Sequence, residues 1–385
     1  MRLLNVELAR TGEGISGGEV CFIEIARRIG AQQINVVPQG DVESYRKYGL
    51  PESFLPLEDP MPPSRYGILA VYLGRILSAV RFSRACAVHA DAVVSHSEFA
   101  PTFVCAMLTA RALRRPWVAW LHMLAPHPML GYRGAFSPTP KPIVPTVSAL
   151  FYWLNQKVFL LFARKLADRL IVTAAYTRSR LAGQFERRIR LVPYGISAKS
   201  PSSAPDKCFD AVFVGRFHAQ KGLDYLLEAW RDVVRAKPDA MLAVVGSGTP
   251  QIERDVRRRI ARLNLQRNVT MLGFLSGERK DDAVARSRVF AFPSTYESFG
   301  IVALEAMQLG VPVVGFDLPV YEGVFEAMVR VPFGDCARFA REILRLLDDQ
   351  QHYRASADAA VRNAARFTWE QSARIYEGVL NELCG

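Results

Sequence analysis

Short apolar runs separated by helix-patterned stretches recur along nearly the whole chain, and this alternation constrains the fold more than any other feature. It is the signature of βαβ units, which lay strands parallel in one sheet with helices on both faces. In the first half the strands read as Leu3–Leu8, Ile34–Val37, Ala92–Ser95, Trp117–Leu121, Leu170–Thr173 and Ile189–Val192, with helical patterns over Val20–Ile29 and Val147–Lys165. The pattern stops at Ile196–Lys207, a Ser-, Pro- and Ala-rich stretch with almost no apolar content, which reads as a linker. It restarts with strand Ala211–Val214, helix Leu223–Val234, strand Met241–Val245, helix Ile252–Leu263 and strand Val269–Leu272. The 385 residues suit two cores. The expected fold is α/β, two Rossmann-like domains facing a central cleft: 1–195, a linker at 196–207, 208–365, and a last helix over 366–385 packing back toward the first domain. Five prolines mark Pro51–Tyr66 as an irregular loop over that domain.

Charge is unevenly placed. Residues 1–195 hold 24 Lys and Arg against 13 Asp and Glu, while the remainder is nearly balanced at 25 against 24. A basic half calls for an acidic partner: a membrane surface, a phosphate-bearing substrate or nucleic acid. No nucleic-acid motif is present, so that partner is not expected. Two arginine clusters, Arg111, Arg114 and Arg115, and Arg187, Arg188 and Arg190, suit anionic headgroups or a lipid diphosphate. The apolar-basic stretch Tyr66–Arg84 fits an amphipathic helix on an anionic membrane as well as a core helix with solvated arginines. The six cysteines stand singly, as reduced thiols do, and Met1–Arg10 reads as a charged first strand with no signal-peptide core, so a cytoplasmic location is expected. The apolar tract Ile143–Ala163 is broken by Pro145, Asn155, Gln156 and Lys157 and is not read as spanning a membrane.

The second half carries the chemistry. Strand Ala211–Val214 ends at Gly215 and Arg216, and Lys221 follows just before Gly222 and a helix. Ligands of open parallel sheets bind beyond the carboxyl ends of the strands, so two cations there suit a diphosphate. Isolated, the pair would be two solvated surface charges. Between Ser298 and Gly315 the only ionisable side chain is Glu305, on an apolar helix expected to be largely buried. Such a carboxylate needs a partner, either a ribose diol or a core-lining Arg. Glu297 lies just before that helix, beside the backbone N–H groups of Phe299, Gly300 and Ile301, where an anion or a sugar is favoured and where it could equally be a cap. Gly300 leaves room for a ligand at the backbone.

VGRFHAQKG (Val214–Gly222), VVGSG (Val244–Gly248), VTMLGFLS (Val269–Ser276) and STYESFGIVALEAMQLGVPVV (Ser294–Val314) together resemble the retaining glycosyltransferases of family 4, of GT-B fold. The resemblance implies a nucleotide-sugar donor, with Glu297 and the backbone of Phe299, Gly300 and Ile301 on the donor sugar and phosphate. It places Glu305 on the ribose, Arg216 and Lys221 on the diphosphate, and Gly273, Phe274 and Leu275 at the base. In the first half Gly17 and Gly18, opening a helix, resemble the family's glycine turn, and His122 resembles the histidine beside the donor sugar. Met123 stands where many relatives have Asp. His96, at the end of Ala92–Ser95, is a second candidate. The implied reaction transfers a hexose with retention to a glycan or lipid-linked acceptor, needing no metal or other cofactor. The same fold also serves catalytically silent nucleotide-binding or partner subunits.

Overall fold

The computed structural model describes residues 1–10, 15–51, 53–128, 147–199 and 206–385. The described chain forms two units, one from Met1–Ala125, 147–195 and Thr368–Gly385, the other from 126–128 and Ile196–Phe367. Residues 200–205 of the expected linker, and most of the tract preceding the helix Val147–Leu166, lie outside the described residues.

In the first unit β1 (Arg2–Val6), β2 (Gln32–Pro38), β3 (Phe54–Leu57), β4 (Ala92–Ser95), β5 (Trp117–Leu121), β6 (Arg169–Val172) and β7 (Ile189–Leu191) form one sheet in the order β3-β2-β1-β4-β5-β6-β7. Every pairing is parallel. Strands covered on both faces must be apolar throughout, and β5 is buried at all five positions. The strand order reverses between β1 and β4, so their carboxyl ends open a crevice there.

One sequence expectation fails here. Pro51–Tyr66 is not wholly irregular, because Phe54–Leu57 pairs with β2. The strand lies at the sheet edge, bonded on one side only, and so tolerates Pro56. The rest of the segment is tied down by Asp59, whose carboxylate takes Arg75 Nε at 2.9 Å and Nη2 at 2.6 Å. Arg75 also donates to the carbonyls of Leu8 and Arg10. It is therefore a buried clamp, not one of the solvated arginines of its helix, Ile68–Ala85. Two of the expected docking arginines are likewise spent internally: Arg188 caps the carbonyls of Ala167 and Arg164, and Arg190 pairs with Glu382 at 3.0 Å.

The last helix, Trp369–Cys384, buries Trp369, Tyr376 and Leu380 in the first unit, with Tyr376 edge-on to Trp120 at 5.1 Å. The chain at Gly195 passes so close beneath it that a Cβ would sit 2.2 Å from the Trp369 nitrogen.

The second unit repeats the plan with β8 (Phe209–Val214), β9 (Leu242–Val245), β10 (Val269–Gly273), β11 (Ser287–Phe292), β12 (Val313–Phe316) and β13 (Val329–Val331), in the order β10-β9-β8-β11-β12-β13, all parallel. Leu223, Leu226, Leu227, Trp230 and Val233 line one face of the helix Leu223–Ala236 at helical spacing and fill the core with Phe339, Ile343 and Leu346 of Cys336–Asp348. The order reverses between β8 and β11, and the motif residues of both strands end at that point.

Candidate active site

In the second unit, two loops leave the switch point and are sewn together. Thr295 N–H donates to the Gln220 carbonyl at 2.8 Å, and its hydroxyl reaches the carbonyls of Ala219 and Gln220. The loops approach so closely that a Cβ on Gly222 would lie 1.9 Å from the Pro293 oxygen, and Gly222 also has φ +68°. Both facts demand glycine. This contact sets Lys221 beside Glu297: the ammonium and Glu297 Oε1 form an ion pair, and Ser294 Oγ donates to the same oxygen at 2.9 Å. Glu297 is only 8% exposed. Oε1 carries both contacts, and no bond to Oε2 is made among the described residues.

Arg216 follows Gly215 at the end of β8; it is exposed and makes no side-chain bond among the described residues. His218, two residues on, has its pKa lowered by burial and by the charges of Arg216 and Lys221. Three basic side chains thus gather on one loop.

Gly300 takes φ +94° as the cap of the helix Ile301–Gln308, and a Cβ there would meet the rings of Phe325 and Phe292 at 3.0 and 3.1 Å. The glycine answers to backbone conformation and to packing against these two rings. Phe299 is buried, while the first turn of the helix, beginning at Ile301, offers N–H groups that have no acceptor within the helix. Glu305, one turn further, departs from expectation more sharply. It is half-buried, and its oxygens are held by Lys280 Nζ at 2.6 Å and Lys199 Nζ at 3.3 Å. Lys199 also pairs with Asp281 at 2.6 Å. The expected arginine partner is two lysines, one on the helix Gly277–Ala285 and one near the start of the linker; nothing local in the sequence marks either. Gly273 ends β10, and Phe274 and Leu275 follow it, with Phe274 presenting its ring at 73% exposure.

In the first unit Gly17 and Gly18 begin the helix Gly17–Ala26, fixed by a capping box between Ser16 and Glu19. His122 stands at the end of β5 directly against Gly18, where a Cβ would come within 2.9 Å of the imidazole. The sequence placed both at one site, and the structure brings them together. The ring itself has another employment than the expected bond to a sugar. Nε2 lies 2.7 Å from the His96 carbonyl and must donate to it, while Nδ1 accepts from the Tyr194 hydroxyl at 2.7 Å. Burial lowers the His122 pKa to about 4 and holds Tyr194 well above the usual phenol value, so the imidazole is neutral and the phenol keeps its proton to donate. His96 is a core histidine, stacked on Phe22 at 3.8 Å and bonded to Asn5 at 3.0 Å. An acidic group does stand beside His122 despite Met123: the Glu98 carboxyl, from the loop after β4, is raised to about 7 by burial, with the nearby backbone N–H groups of Glu98 and His122 acting against that rise.

Glu7, after β1, is a second displaced carboxyl, raised to about 8 by burial and by the nearby charge of Glu19, against a bond of 2.9 Å from Ala9 N–H. A folded-state value above the unfolded one stabilises most below about 4.5 and loses that contribution as pH climbs through about 8. Glu7→Gln, which mimics the protonated acid, is expected to raise Tm over wild type at pH 8.5 and to leave it nearly unchanged at pH 5. A Tm difference equal at the two pH values would refute this.

The description Glycosyltransferase Family 4 matches residues 15–200, and Glycosyl transferases group 1 matches residues 197–365. Together they span both units. The chain belongs to the family 4 glycosyltransferases. This family 4 chain is 37% identical over 166 residues to a D-inositol 3-phosphate glycosyltransferase of Segniliparus rotundus, covering 42% of the chain and 37% of that relative. It is 32% identical over 206 residues to a phosphatidyl-myo-inositol mannosyltransferase of Mycobacterium leprae, covering 49% and 53%. The chain spans about half the length of the curated relatives it matches, or less. Among solved structures, Anabaena Alr3699/HepE in complex with UDP superposes with TM-score 0.74 at 19% identity, covering 100% of both chains. A sucrose-phosphate synthase from Thermosynechococcus elongatus gives 0.74 at 19%, covering 99% and 98%. These likenesses establish the GT-B fold of two Rossmann-like units.

Proposed function

We propose that the protein is a retaining hexosyltransferase that moves a sugar from a nucleotide-sugar donor to a glycan or lipid-linked acceptor, peripherally at the cytoplasmic face of a membrane and without a metal ion. The observation that carries the reading is the Lys221–Glu297 pair at the switch point of the second unit, with Arg216 on the same loop making no side-chain bond among the described residues. As the bond to the sugar breaks, negative charge grows on the leaving diphosphate. Arg216, Lys221 and the first turn of Ile301–Gln308 lie where that charge would be met by fixed cations and N–H groups, the part a divalent ion plays at other phosphate sites. Glu297, oriented by Lys221 and Ser294, offers Oε2 to a donor-sugar hydroxyl. Phe274 gives a flat surface to a base at the mouth of β10. Family relatives with inositol-phosphate and phosphatidylinositol acceptors in their names support an acceptor that is itself anionic.

The test is a thermal-shift and hydrolysis screen with UDP, GDP and ADP sugars, uridine first because the Anabaena neighbour holds UDP. Release of nucleoside diphosphate supports a transferase; a nucleotide-stabilised protein that releases none from any donor, with or without acceptors, is a silent binding subunit. Glu305→Gln is expected to weaken nucleotide binding about tenfold or more, the effect of losing a charged hydrogen-bond acceptor. An unaltered nucleotide-induced Tm shift in this variant would remove Glu305 from the ribose.

A further inference from the structure

Two helices of the first unit turn apolar faces outward. On Ile68–Ala85 the most exposed large apolar side chains are Leu69, Leu73 and Leu77, spaced by one turn each, with Ile68 less so at the start; on Val147–Leu166 they are Leu150, Leu154, Val158 and Leu161, again on one face, with Phe162 beside them. The seven Leu and Val side chains are between 42% and 61% exposed, whereas the opposite faces are buried through Val71, Tyr72 and Ala79 and through Phe159 and Ala163. The helices meet where Tyr72 packs on Phe151 at 5.8 Å, and their inner sides enter the same core through Ala79 and through Phe159 and Ala163. Both rows end in cations, Arg81 and Arg84 on the first helix and Arg164 and Lys165 on the second, all exposed, and Lys157 flanks the second row. Neither helix has an Asp or Glu. Between Pro60 and Ala167 the only carboxylates are Asp91 and Glu98, against twelve Lys and Arg. Glu98 is buried and neither outward row carries a carboxylate, while the exposed Glu58 and Asp168 stand just outside that span.

We infer that the outward faces of Ile68–Ala85 and Val147–Leu166 form one docking surface that lies on an anionic lipid bilayer, leucines in the acyl boundary and the terminal Arg and Lys at the headgroups. The inference deepens the proposed peripheral placement and rests on it. Apolar rows bracketed by cations and free of carboxylates are what an interfacial helix needs, and no helix among the described residues is long and apolar enough to cross instead. A second copy of the chain is a poorer occupant, since pairing this face with itself would set one carboxylate-poor basic patch against another.

The experiment is flotation of the full chain with vesicles of phosphatidylcholine alone or with phosphatidylglycerol, at low and high salt. Wild type is expected to float with the anionic vesicles, to be released by salt, and to ignore neutral ones. Leu73→Glu with Leu77→Glu, and separately Leu154→Glu with Leu161→Glu, should each cut vesicle binding about tenfold or more. All four side chains are exposed, so donor hydrolysis in the absence of vesicles and Tm should stay at wild-type values. Wild type that stays off anionic vesicles while hydrolysing donor overturns this inference and leaves the transferase reading standing. Variants that float as wild type does overturn it too, as does a wild-type dimer that the substitutions make monomeric.

Discussion

Arg216→Ala is expected to lower turnover by about a hundredfold or more, the usual consequence of removing one preorganised donor from a developing anion. The side chain is exposed and unbonded among the described residues, so its removal should leave the unfolding free energy within about 0.5 kcal/mol of wild type. That combination is diagnostic. A residue with a structural role loses stability with activity, whereas a cation kept for the leaving group loses only the latter. The loss should appear in kcat, with nucleotide affinity changing less. Wild-type turnover in the variant would take Arg216 out of the site.

Glu297→Ala should fail in both respects. The carboxylate is 5% exposed at its side chain and its partner Lys221 19%, so the substitution leaves a largely buried ammonium with no counter-charge. Breaking such a pair from one side costs about 3–5 kcal/mol. Denaturant unfolding of the second unit should therefore shift to markedly lower concentration, and transfer should fall below detection. Lys221→Met with Glu297→Met, which removes both charges, is expected to recover much of the stability and none of the activity. If the single variant unfolds as wild type does, the pair is not what organises the two loops.

The second unit was the more legible half. Its strands are short apolar runs followed at once by the charged or glycine residues of the site, so sheet order, switch point and chemistry lie close together along the chain, as at Val214–Gly222 and Ser294–Glu305. What pattern could not supply was pairing over distance. Lys280 is 25 residues from Glu305, and Lys199 sits in a stretch that composition marks only as a connector. The seam between the two loops at Gly222 and Pro293 is equally silent, because a close approach leaves no periodic trace. In the first unit the glycine pair and His122 were visible, but the use of the ring was not: the bonds to the His96 carbonyl and Tyr194 depend on strand neighbours fixed only by the sheet. β3 was hidden because an edge strand can hold the proline that argues against a central one.

The chain leaves the first unit after Gly195 and returns to it at Thr368, and the two crossings run side by side, Ile196 N–H donating to the Phe367 carbonyl at 3.1 Å. Along the sequence the stretch Ile196–Phe367 is thus an insertion between two parts of the first unit, its beginning and end adjacent. Severing the polypeptide at the linker would hand the downstream fragment a helix whose greasy side, Trp369, Tyr376 and Leu380, has its seat on the upstream fragment. A dissection that respects the architecture therefore keeps Thr368–Gly385 with the upstream fragment.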